Sequence, residues 1–132
     1  MPQIDLNSPD GAKKIADILE RRTTDLMRMA TIEFYRQVQI STPVDTGRAR
    51  AGWLITVNTP SDEVLPEGKY TYSAVIPDVP AVTINDRYFI TNNTPYIGKL
   101  NNGYSWQAPA RFVELTVAKI QAAISKIWEK IK

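Results

Sequence analysis

The stretch Thr42 to Trp53, TPVDTGRARAGW, divides the chain into two patterns of side-chain spacing. Upstream, Ala12, Ile15, Ala16, Leu19, Leu26, Met27, Ala30, Phe34 and Val38 recur at helical spacing. That pattern predicts one long amphipathic helix from Pro9 to about residue 40. Ser8 stands where an N-cap belongs, with Pro9 at the first helical position. Pro43 ends the helix, because the residue before a proline is pushed out of helical angles. Downstream, WLITVN (53–58), KYTYSAVIP (69–77) and VTINDRYFITN (82–92) are rich in β-branched and aromatic residues. They predict a meander of three or four antiparallel strands across residues 50–93. The connecting pieces TPSDEVLPEG and DVPA have the Pro, Asp and Glu content of exposed loops.

Beyond the strands, residues 94–108 contain Asn101-Asn102-Gly103 and read as a turn-rich loop. Pro109 opens a second amphipathic helix over 109–131, in which Val113, Val117, Ile120, Ile124, Ile127, Trp128 and Ile131 recur at three and four. Residues 1–7 read as a flexible tail. The fold expected is α+β in a single domain: a long N-terminal helix, a small antiparallel sheet of three to four strands, and a C-terminal amphipathic helix packed on that sheet. Trp53, Ile55 and Val57 share one parity and Leu54 and Thr56 the other, so both sheet faces carry apolar residues. Burial of the second face by another subunit would account for this.

The chain has 132 residues, 43% of them apolar and 23% charged, which is a globular balance that argues against both disorder and a membrane protein. Its apolar runs are too short to span a bilayer, and the first residues lack a basic region followed by an apolar core. A soluble intracellular product is the expectation. Sixteen basic against fourteen acidic side chains leave a net +2, too little to imply nucleic acid by charge alone. The absence of Cys and His removes thiolate nucleophiles, imidazole metal sites and the Ser-His-Asp and Cys-His arrangements. No glycine-rich phosphate loop is present. No cofactor and no metal are expected.

On the first helix Lys14, Arg21, Arg28 and Arg36 fall on the side away from the apolar stripe. They read either as a solvated face paired with acids such as Asp17 and Asp25, or as a basic stripe facing DNA in a channel.

Asp45-Thr46-Gly47 spells the catalytic triplet of aspartic proteases. Such an enzyme needs two carboxylates sharing one proton, so a chain this short would have to dimerise. Arg48 directly after the glycine would hold Asp45 ionised, which opposes proton sharing. Protease activity through Asp45 is thus a distant alternative. The structural alternative is a corner built from Pro43, Asp45, Thr46 and Gly47, with Asp45 bonding backbone N–H groups ahead of it and Gly47 taking angles that other residues resist. Arg48 and Arg50 then share a parity on the emerging strand, and Trp53 points to the core or an interface.

The order of these features resembles the tail-completion, or neck, proteins of long-tailed bacteriophages. A Pro-Val-Asp-Thr-Gly-Arg corner follows the first helix, here Pro43 to Trp53, and an Asn-x-x-Pro-Tyr segment leads through a glycine turn to the last helix, here Asn92 to Phe112. In that family an acidic residue commonly stands near the turn glycine, where this chain has Leu100-Asn101-Asn102-Gly103. Arg48 or Arg50 therefore needs another partner, such as a carbonyl or a neighbouring subunit.

The resemblance implies a non-enzymatic structural virion protein that joins head connector to tail and continues the DNA channel. It implies a homo-oligomeric ring, six- or twelve-fold, contacting connector or head-closure proteins on one side and tail terminator or tube proteins on the other. Contact with packaged DNA would be passive, and no membrane is involved. A tail terminator or head-closure protein of the same neck is the alternative. The protein would reside in the virion neck, and in host cytoplasm during assembly. Arg48, Arg50, Trp53, Tyr96, Tyr104 and Trp106 are the candidate interface residues, and Lys14, Arg21, Arg28 and Arg36 the candidate channel-facing stripe.

Overall fold

The computed structural model describes residues 8–44, 46–71, 79–103 and 111–131. The elements run α1 (Pro9–Ser41), α2 (Arg48–Ala51), β1 (Trp53–Val57), β2 (Tyr88–Asn92), α3 (Ile97–Asn101) and α4 (Phe112–Ile131). The expected tail at 1–7, as well as Asp45, Tyr72, Tyr104, Trp106 and Pro109, lie outside the described residues.

α1 begins and ends where its sequence signals stand. The Ser8 hydroxyl accepts from the Gly11 N–H at 2.9 Å, and Pro9 is the first helical residue. At the other end Thr42 is extended, at φ −72° and ψ 127°, as the following proline requires.

The sheet is smaller than expected. Among the described residues it is a two-stranded antiparallel ribbon, with Trp53 opposite Asn92 and Val57 opposite Tyr88. Two competing sets of hydrogen bonds, one through a side chain and one through the backbone, account for described residues that do not join the sheet. The Asp86 carboxylate accepts from the Thr83 N–H at 2.8 Å and from the Asn58 amide at 2.9 Å, which draws 83–86 into a turn ahead of β2. Tyr70 donates its backbone N–H to Thr46 at 2.7 Å, so that stretch crosses the corner instead of pairing with β1. The rest of the expected middle strand, 72–77, lies outside the described residues.

The C-terminal helix also differs from expectation: it packs mainly along α1, not on the sheet. Length explains this. A five-residue ribbon spans about 17 Å, whereas the 20 residues of α4 extend about 30 Å and the 33 of α1 about 50 Å. Only α1 can cover α4 along its length.

The core sits where these pieces meet. Val38, Trp53 and Phe112 are buried, and Phe34, Tyr35, Ile90, Ile97, Leu100 and Val113 pack around them. The apolar stripe of α1 divides between two settings. Its C-terminal half enters this core, while Leu19 is 60% exposed.

Candidate functional site

The corner after α1 is fixed by a buried hydrogen-bond chain. The Trp53 indole N–H donates to Thr42 Oγ1 at 2.9 Å, and that hydroxyl donates to the Val38 carbonyl at 2.6 Å. An indole and a hydroxyl are thereby buried with their donors satisfied. Trp53 is only 6% exposed, so its place is inside the subunit. The sequence places Thr42 at the helix exit before Pro43, but its hydroxyl's partners show only in the fold.

Gly47 holds φ +84°, and a Cβ built there would lie 2.1 Å from the Tyr70 carbonyl oxygen. Both backbone angle and space demand glycine. The residues after it form the helical turn α2, not the start of a strand, so Arg48 and Arg50 do not share a face. Two positions apart on a helix point to nearly opposite sides.

Each guanidinium accordingly finds different carbonyls. Arg48 donates through Nε and Nη2 to the Leu65 oxygen at 3.0 and 2.8 Å, tying loop 58–71 to the corner. Arg50 donates through Nη2 to Ile40 and Thr42 oxygens, each at 3.3 Å. These carbonyls stand at the C-terminal end of α1, whose last turn carries no basic residue. Arg50 supplies that cation from outside the helix. Of the expected alternatives, a carbonyl or a neighbouring subunit, both arginines thus have carbonyl partners within the chain.

The second motif folds directly onto the first. Asn92, at the end of β2, donates through Nδ2 to the Ala49 carbonyl at 2.7 Å and accepts the Thr94 N–H at 3.0 Å through Oδ1. The approach is close: a Cβ at Gly52 would stand 2.7 Å from Thr94 Oγ1 and 3.0 Å from Asn92 Oδ1. Tyr96 follows, and with Arg48, Thr46, Glu67, Lys69 and Leu100 it lines a groove of about 600 Å³. Residues some fifty positions apart are thus brought to one site, with two cations, one carboxylate and a phenol at its walls.

Asn101 ties the end of α3 to the start of α4. Its Oδ1 accepts the Val113 N–H at 2.9 Å and its Nδ2 donates to both Glu114 oxygens at 3.1 and 3.0 Å. It thereby satisfies an otherwise orphan donor in the first turn of α4. The Glu114 carboxyl is held below the usual range, first by its own backbone N–H and then by the Asn101 amide.

The four basic residues of α1 do not share one kind of partner. Lys14 lies 3.8 Å from Asp10, exposed on both sides, and Arg36 pairs with Glu33 at 2.9 Å. Arg28 donates through Nε to the Val79 carbonyl at 2.8 Å and so holds the loop before β2. Arg21 is exposed. The partners are Asp10, Glu33 and a carbonyl, in place of the expected Asp17 and Asp25.

Among the described residues no group of three or more His, Cys, Asp or Glu is arranged to hold a metal ion, and no helix is long and apolar enough to cross a membrane. No protein-family model, no curated protein and no solved structure matches the chain.

Proposed function

We propose that this chain is a structural, non-enzymatic subunit of the neck of a long-tailed bacteriophage, a tail-completion protein that assembles as a ring between head connector and tail. The neck assignment derives from the ordered resemblance of the corner and the Asn92–Tyr96 segment. The geometry supports a scaffold role for both motifs: Arg48, Arg50 and Asn92 bind backbone carbonyls and Trp53 the Thr42 hydroxyl, and the bonds join helix, ribbon and loop into one joint.

The oligomeric part rests on the same resemblance and on apolar side chains exposed on the helices, Leu19 at 60% and Leu115 at 47% among them. Ring contacts are heterologous, each patch meeting a different one on the next copy.

Extract complementation tests the function. Phage deleted for this chain should accumulate DNA-filled heads and separate tails, and purified chain should restore joined particles. Normal joining in the deleted phage would overturn the reading.

A further inference from the structure

Asn101, Asn102 and Gly103 close α3, and the two asparagines meet different surroundings. The Asn101 side chain is held by Glu114 and Val113, and its backbone carbonyl accepts from the Arg111 N–H. Asn92 is tied to the Ala49 carbonyl, Asn93 to the Ser61 and Glu63 carbonyls, and Asn58 to Asp86. Among the described residues, Asn85 and Asn102 are the asparagines whose side-chain amides make no hydrogen bond, and both are exposed.

The residue that follows separates these two. Asn85 precedes Asp86, whose nitrogen stands beside a Cβ and donates to the Thr83 carbonyl at 3.0 Å. Asn102 precedes Gly103, at φ +95°, whose nitrogen has no Cβ beside it. The bond from that nitrogen to the Leu100 carbonyl is long, at 3.3 Å. A free side-chain amide thus stands next to an uncrowded, weakly held backbone nitrogen, and the two belong to one chain, which favours their reaction.

We infer that Asn102 is a modification site, at which the chain converts itself without an enzyme to aspartate and isoaspartate. The Gly103 nitrogen gives its proton to solvent and attacks the Asn102 Cγ. The new N–Cγ bond closes a five-membered succinimide ring as the Cγ–Nδ2 bond breaks, and the side-chain nitrogen takes a proton from solvent and leaves as ammonia. Water then opens the ring. Its attack at Cγ leaves aspartate in the original main chain, and its attack at the backbone carbon leaves isoaspartate, with the main chain passing through the former side chain. One water enters and one ammonia departs, with no oxidation or reduction. Ring closure requires rotation away from the ψ of 5° at Asn102, and the long Gly103–Leu100 bond is what that rotation gives up.

Either product lowers the formal net charge from +2 to +1. Isoaspartate also lengthens the main chain by one carbon, directly beside the Asn101 junction of α3 and α4. The inference does not depend on the neck reading, and either stands if the other fails.

Incubation of the folded chain in mildly alkaline buffer, then tryptic peptide mapping with fragment-ion mass spectrometry, tests the site. Peptide 100–111 should gain the mass of OH in place of NH2, with fragments locating the change at Asn102 and chromatography resolving two products. Conversion should be at least about tenfold faster than at Asn85 in peptide 70–87, which a modest difference in barrier supplies. Asn102→Gln, whose ring would have six members, should lose the shift while circular dichroism shows the chain still folded. An unshifted Asn102 in the unsubstituted chain, or conversion as fast at Asn85 or Asn101, would overturn the inference.

Discussion

At the scale of single residues, the corner depends on a few positions without substitutes. Gly47 combines φ +84° with a carbonyl oxygen 2.1 Å from any added Cβ. Gly47→Ala is therefore expected to destabilise the chain by about 2–4 kcal/mol, read as a lowered urea midpoint. Thr42→Val keeps shape but removes both the acceptor for the Trp53 indole and the donor to Val38. Leaving that indole N–H buried and unpaired should cost about 1–3 kcal/mol. A midpoint within experimental error of the unsubstituted chain would show that the hydrogen-bond chain carries no stability. Gly47 was legible in the sequence because a turn glycine announces its backbone angle. The roles of Asn92 and Asn101 were not, because an asparagine shows its partners only after distant segments meet.

At the scale of elements, ends were easier to read than pairings. Ser8, Pro9 and Pro43 mark the limits of α1 through local rules, and those limits stand in the structure. The strand at 82–87 and the seat of α4 could not be read locally, since a carboxylate capturing a turn and the lengths available for packing decide them. Arg50 connects two elements by capping the C-terminal end of α1 from α2. Arg50→Ala should lower stability by about 0.5–1.5 kcal/mol and raise amide exchange in the last turn of α1 before that of its middle. Uniform exchange along α1 would contradict the capping role. Two carboxylates at element ends give a pH dependence. Asp86 is held below its ordinary value first by the Asn58 amide and then by the Thr83 N–H, and Glu114 by its own N–H and Asn101. With folded values below the unfolded ones, their stabilisation is complete above the ordinary carboxylate range and is lost as pH falls through it, between about pH 5 and 3. Asn101→Ala should flatten that fall in the urea midpoint; an unchanged slope would remove Asn101 from the account.

At the scale of the whole molecule, the described residues form a small core and a hydrogen-bonded joint that ties helix, ribbon and loop together. The joint brings together two motifs far apart in sequence, with Asn92 donating directly to the Ala49 carbonyl of α2. The sequence showed both motifs and their order and left Trp53 between core and interface, but did not show that α4 would lie along α1. That outcome follows from which element is long enough to cover the other. The central claim is that the folded chain is incomplete alone and closes on copies of itself. Native mass spectrometry of the purified, unsubstituted chain tests it most directly. A single closed species at a fixed multiple of 14.9 kDa, unchanged over a wide concentration range, is the predicted result. A species of 14.9 kDa alone at every concentration would contradict it.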